Sequence, residues 1–269
     1  MQNLSIEEFN NLDISPYQIY NLDLDYQQSF SINSYLENKN DTIDNDQLLN
    51  ILFADIEVFT NNAGVFPKPE IAKFPINAIT IYSTFEKIFR SYFLLQHSNI
   101  NKFPSKNEIP DLINQFTKDL LVDKYINSDE KLEIYMFTSE MDLIRACWGK
   151  IREIDPSVLS GYNMDRFDLP YIYFRLSNLL NKNEVEIGKI LSLFGKIKVE
   201  KFGNEFLIKI PEMPVSDLMY LYKPRDDGGL NMGSKLSSYA LDFVADHELN
   251  LRKKDYKDEG MSLDTFYEK

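Results

Sequence analysis

The sequence has a single cysteine, Cys147, so no intrachain disulfide forms and a cysteine-built zinc site is excluded. Such sparing use of cysteine fits a reducing, cytoplasm-like compartment. Histidine is nearly as scarce. His97 and His247 are the only two, too few for a histidine-rich metal centre. A metal here would be held by carboxylates, which selects hard cations such as Mg²⁺, Mn²⁺ or Ca²⁺. No apolar run approaches the roughly 18 residues of a membrane-spanning helix, so no membrane partner is expected. The Asn- and acid-rich start does not read as a secretory signal. The patterns GxxxxGK[ST], GxGxxG and HExxH are missing, as is any repeat of roughly 20–50 residues. Basic residues are outnumbered, 29 Lys and Arg against 42 Asp and Glu, for a net charge of −13. That balance disfavours a sequence-independent DNA coat protein, which needs a basic excess, while a local basic groove stays compatible.

What is present is a foldable chain. Of its 269 residues, 43% are hydrophobic and 13% aromatic, enough apolar surface to offset the ordering entropy of one large domain or two small ones. Residues 1–50 are polar and read as an irregular lead-in. ILFADIEVF (51–59) is β-branched, aromatic and almost wholly apolar, the pattern of a central strand. A Pro-containing loop follows, and then INAITIY (76–82) and KIFRSYFLL (87–95) form a hairpin. One amphipathic helix is expected over 108–122, and KLEIYMFT (131–138) is a strand. Ser139 opens a helix with Asp142 three residues on, and Met141, Ile144, Trp148, Ile151 and Ile154 form its core stripe. Asp155-Pro156 stops it. VLSGYN (158–163) is a short strand running into a turn, and Pro170 suits the first turn of the next helix. A hairpin is expected around Gly203-Asn204, a short helix at 217–223, a capped helix at 237–249 and a charged tail at 251–269. The Lys-rich stretch from Lys182 to Lys201 reads as a solvated face before a DNA-contacting one. Strands alternating with helices define an α/β fold with a central sheet.

The most informative segment is Asp55-Ile56-Glu57. Residues i and i+2 of a strand share a face, so both acids project together from Ile51, Phe53, Asp55, Glu57 and Phe59. Neither face of this strand reads as solvated, and buried carboxylates need neutralising partners. Basic side chains could do this, and divalent cations do it better at such spacing; a solvated strand edge is the remaining reading. Asp168 falls just before Pro170, at a helix start, where it either caps the helix or points to a neighbouring strand end.

Taken together, DIE at 55–57 and NMDRFD at 163–168 resemble the first and second motifs of the DEDD-type 3′→5′ exonuclease domain of family B DNA polymerases. GVFPKPEIAKFPINAITIY, DPSVLSGYNMDRFDLPYIYFRL, DLMYLYK and LSSYALDFVADHEL extend the likeness, most closely to T-even-phage-like members, over roughly 50–250. The resemblance implies an RNase-H-like fold with a mixed five-stranded sheet flanked by helices and an inserted β-hairpin. It implies a nuclease domain at 51–250, preceded by a lead-in and followed by the tail. It also implies hydrolysis of the 3′-terminal phosphodiester by two Mg²⁺ or Mn²⁺ ions about 4 Å apart. On this reading Asp55, Glu57 and Asp168 are the catalytic metal ligands. Asn163 and Phe167 shape the site around the DNA 3′ end, and Phe66 stacks on an unpaired terminal base. The partners are a single-stranded 3′ end or primer-template DNA, and the rest of a polymerase.

The family's third motif, YxxxD, is not found before Lys269; Tyr222-x-x-x-Asp226 fits the bare pattern but lies too early. DxxSLYPS, KxxxNSxYG and DTDS segments are absent too. The expectation is a truncated, split or excised part of a polymerase, with weakened metal binding and slowed cleavage. A module that only holds single-stranded DNA or docks on a partner is the alternative. A stand-alone DEDD nuclease fits less well, because the likeness continues past NMDRFD. His247 and Trp148 read as structural residues.

Overall fold

A computed structural model describes residues 49–58, 60, 66–95, 127–203, 205–224, 228–230 and 235–250, with a few positions between 110 and 118. The lead-in up to residue 48, most of the helix expected over 108–122, Phe59, Asp226 and the tail from 251 lie outside them.

Strand β1 (Ile51–Val58) is central, as its composition requires. It pairs antiparallel with β2 (Ile76–Ser83), which turns through residues 84–87 into β3 (Ile88–Leu94). Lys87, with φ of 57°, closes that turn by donating its N–H to the Ser83 carbonyl at 2.8 Å. β4 (Lys131–Phe137) lies parallel to β3 at one edge. β5 (Val158–Gly161) and β8 (Val215–Asp217) extend the sheet on the other side of β1, both parallel to it. The order is β4-β3-β2-β1-β5-β8, and β2 alone runs against the rest. The sheet is mixed, as expected, but has six strands rather than five. The sixth, β8, is three residues long and pairs with β5.

Helix α1 (Glu140–Ile154) packs across β2, β3 and β4. The Ser139 hydroxyl accepts the Asp142 N–H at 3.3 Å, and the left-handed Asp155 (φ 48°) ends the helix just before Pro156. Leu143, Ile144, Cys147, Trp148 and Ile151 are buried, while Met141 and Ile154 flank them half-buried. These side chains meet Leu52, Ile56, Ile79, Ile81 and Tyr92 in the main core.

Helix α2 (Asp168–Leu179) is tied to α1 by Arg175, whose guanidinium donates to both Glu140 oxygens at 2.7 and 2.8 Å. Helix α3 (Glu184–Leu191) was not expected. It lies within the Lys-rich stretch, capped by Asn183 and burying Ile187, Ile190 and Leu191. Its lysine Lys189 pairs with Glu186, and Lys198 with Glu200, so these lysines form a solvated, ion-paired face. The hairpin around Gly203 is present as β6 (Lys198–Phe202) and β7 (Glu205–Lys209), a separate two-stranded sheet on which α2 packs through Phe174 and Phe206. Helix α4 (Met219–Tyr222) follows β8, and α5 (Leu241–Leu249) starts four residues later than expected, without a side-chain cap. His247 on α5 is exposed and bonds Glu248 at 3.0 Å, so it does not pack in the core. No helix among the described residues is long and apolar enough to cross a membrane.

Candidate active site

The site forms where β1 outruns β5. The two strands pair only from Ile51 to Phe53, opposite Val158 to Ser160. Beyond that point β5 must turn away while still touching β1, and Gly161 allows it. A Cβ at 161 would sit 2.6 Å from Met164 Cε and 2.7 Å from the Ala54 carbonyl oxygen, closer than real Cβ atoms come. Asn163 then adopts a left-handed conformation, φ 63°. Its carbonyl accepts the N–H groups of Arg166 (3.2 Å) and Phe167 (2.9 Å), making one tight turn that delivers the chain into α2.

Asp168 is the first residue of α2, and the cap position belongs to Phe167, which makes no side-chain cap bond. The Asp168 carboxylate is turned off its own helix. It accepts the backbone N–H of Ile56 at 3.1 Å, taking a β1 donor beyond the end of the β5 pairing. Of the two roles open to Asp168 from sequence, helix cap or reach to a strand, the second is the one adopted.

Asp55 and Glu57 share a strand face, as the alternation demands, opposite Thr80 and Ala78 of β2. The expectation that this face is closed is corrected. Asp55 is exposed and Glu57 half-buried, whereas Leu52 and Ile56 on the opposite face are 0% and 5% exposed. The strand's apolar residues hid which face the helices cover. The face that carries Asp55 continues as a polar row: Thr80 and Ser91 follow Asp55 across β2 and β3, their hydroxyls 3.0 Å apart.

Of the three acids picked out from the sequence it is Asp168 that is buried, 4% exposed. Burial is the chief cause that pushes its carboxyl up to about 8, and the nearby Asp55 charge adds to it against the pull of the Ile56 N–H. Asp165, in the same turn, is pushed up to about 6 by burial and then by Asp217. Asp217 and Asp165 were not singled out from sequence. Asp217 sits at the end of a strand with no local signature, and Asp165 lies inside NMDRFD between better-marked residues.

Phe66 is exposed, and its ring lies 5.2 Å from that of Phe167, which meets Tyr171 at 5.6 Å. The fold therefore gathers Phe66, Asn163 and Phe167 around the Asp168 turn. Beside it, a cleft of about 210 Å³ opens between the turn and the β6–β7 hairpin, lined by Arg166, Phe202, Phe206 and Tyr220 among others.

The donor set fits a hard divalent cation. It is all carboxylate, and Asp55 and Asp168 lie close enough for one charge to oppose the other's ionisation, a repulsion that a cation would relieve. Asp55 and Asp168 would hold it, with Glu57 projecting from the same strand face as Asp55. Among the described residues no three acids converge at metal-binding distance.

A mixed six-stranded sheet with carboxylates on its central strand and at the start of the helix beside it makes this a mixed α/β domain with an acidic site. Residues 4–244 match the model of the DNA polymerase family B exonuclease domain, and the chain belongs to that family. It is 29% identical over 210 residues to the DNA-directed DNA polymerase of Escherichia phage RB69, covering 77% of this chain and 22% of that protein. It is 30% identical over 213 residues to the DNA polymerase delta catalytic subunit of Dictyostelium discoideum, covering 76% of this chain and 16% of that protein. The DNA-directed DNA polymerase of Enterobacteria phage T4 is 26% identical over 219 residues, with 75% of this chain and 21% of that protein covered. The chain thus spans about a fifth of the length of these relatives.

Proposed function

We propose that this chain removes nucleotides from DNA 3′ ends, as the proofreading part of a replicative polymerase acting in the cytoplasm. Residues 51–250 would be the nuclease domain, 1–50 a lead-in and 251–269 a tail, with the rest of the polymerase as partner. The observation that carries the reading is the buried Asp168 carboxylate, 3.1 Å from the Ile56 N–H and electrostatically coupled to Asp55. Asp55, Glu57 and Asp168 are the metal-holding catalytic residues. Bound Mg²⁺ or Mn²⁺ supplies water activation and charge neutralisation at the scissile phosphate.

The chain's own residues do the positioning. The Ile56 N–H fixes Oδ1 of Asp168, and the Asp55 charge lies near enough to act on the same carboxylate. Phe66, backed by Phe167, offers a ring to an unpaired terminal base, and such stacking is worth about 1–3 kcal/mol. Asn163 shapes the turn that lies against the terminal nucleotide.

The test is degradation of a 5′-labelled single-stranded oligonucleotide with Mg²⁺ or Mn²⁺. A ladder shortened from the 3′ end is expected, and it should be lost in Asp55→Ala and Glu57→Ala. Retention in either variant would remove that acid from the mechanism. Folded protein that binds the oligonucleotide without shortening it would replace hydrolysis by the single-strand-holding role.

A further inference from the structure

Asp217 ends β8 and is only 4% exposed. Buried carboxylates are costly unless hydrogen bonds replace their water. Here three backbone N–H groups do so. Oδ1 accepts from Asn163 at 2.8 Å and from Met219 at 2.9 Å, and Oδ2 accepts from Asp165 at 3.2 Å. Two of these donors belong to the turn between β5 and α2, more than fifty positions upstream. β8 is carried there by its register. Gly161 pairs with Asp217, the Leu218 N–H donates to the Gly161 carbonyl at 2.9 Å, and the Ser160 hydroxyl donates to the Ser216 carbonyl at 2.9 Å.

The turn that Asp217 grips cannot satisfy its own first amides. Asn163 is left-handed, and its carbonyl is occupied by Arg166 and Phe167 further on. A conformation of this kind persists only where its surroundings over-determine it. Asp165 is three residues from Asp168, so the path from the Asp217 carboxylate to the Asp168 carboxylate is a single turn of chain. We propose that Asp217 is a positioning residue: it fixes the 163–167 turn and thereby seats Asp168 against the Ile56 N–H, in register with Asp55. Small displacements matter in such sites, since a shift of about 1 Å can cost roughly 100-fold in rate. The inference rests on the proposed role of Asp168 in holding metal.

The experiment uses Asp217→Asn, which keeps one acceptor oxygen and turns an NH₂ toward the Asp165 N–H; Asp217→Ser serves if that variant does not fold. Two quantities are read: amide hydrogen exchange, and the Mn²⁺ concentration giving half of the Mn²⁺-induced rise in Tm. The Ile56 amide should exchange at least 10-fold faster than in the parent, with amides of the β2–β3 pairing unchanged. The half-saturating Mn²⁺ concentration should rise at least 5-fold. A general structural role would speed exchange across the β2–β3 pairing as well and leave the Mn²⁺ concentration unmoved, and that result overturns the proposal. Unchanged Ile56 exchange overturns it too. If Mn²⁺ does not stabilise the parent protein, the metal-holding role of Asp168 fails, and the Ile56 amide alone decides whether Asp217 positions the turn.

Discussion

In metal-free buffer at pH 8, Asp168→Asn is expected to unfold at a higher temperature than the parent protein. The folded protein raises the Asp168 carboxyl to about 8, from about 4 in the unfolded chain. Between those values the native state binds a proton that the unfolded state has released. Stability from this group is therefore fully present below about pH 4 and falls as pH rises, by up to about 1.4 kcal/mol per pH unit, until it is lost above about pH 8. Asparagine keeps the oxygen that accepts the Ile56 N–H and never ionises. The two proteins should unfold alike near pH 4 and diverge steadily toward pH 8. The gap there is of order several kcal/mol, and each kcal/mol is worth roughly 2–4 °C in a domain of this size. Asp165, raised to about 6, titrates in both proteins and leaves the difference largely unaffected. Asp55→Ala should shift stability the same way by less, because the Asp55 charge ranks behind burial among the causes. Thermal unfolding of the proteins in EDTA from pH 4 to pH 8 measures this, and parallel curves would remove Asp168 as the buried ionising group.

The sequence pattern puts the buried carboxylates on the strand, whereas Asp55 is exposed and, of the three candidate acids, Asp168 is the one that is buried. DIE marks a strand because its neighbours are β-branched and aromatic, and the acids share a face because strands alternate. Which face is covered is decided by the helices, whose buried residues share one core with Leu52 and Ile56, and nothing within the strand says so. The features with local causes were legible. The β2–β3 hairpin follows from strand lengths, the start of α1 from Ser139, its end from Asp155-Pro156, and the β6–β7 turn from Gly203. Helix α3 was masked because its buried apolar side chains, Ile187, Ile190 and Leu191, lie among charges. β8 has no local signal at all, being three residues paired with β5, and the Asp217 contacts are hidden with it. Asn163 and Phe167 of NMDRFD lie in the turn, and Asp168 falls at the helix start where Pro170 led the sequence to put it. The motif's physical logic, a left-handed Asn163 and an approach that only Gly161 permits, is visible only with β1 beside it.

Divalent metal should reverse the order of stability between parent and variant. A cation held by Asp55 and Asp168 binds the native state alone, and stabilises it by about 2.7 kcal/mol when its concentration is 100-fold above Kd. It also favours the ionised carboxylate, so it offsets the penalty that makes the metal-free parent weak at pH 8. The parent Tm at pH 8 should therefore rise by several degrees with Mn²⁺. Asp168→Asn, more stable in EDTA, should gain little, because a neutral amide is a poor ligand for a hard cation. Asp55→Ala should likewise gain little. The two substitutions separate stability from binding: each raises the metal-free Tm and each abolishes the metal-dependent increment. An ordinary structural ion pair behaves oppositely, since removing one partner would lower the metal-free Tm and leave Mn²⁺ without effect on either protein. An equal Mn²⁺ increment in the parent and both variants would place the cation elsewhere on this acidic chain. The crossing of the curves is the signature of a site kept unstable for its ligand. The fold holds Asp168 where ionisation is unfavourable, and the cation that makes ionisation favourable is the one the proposed chemistry uses.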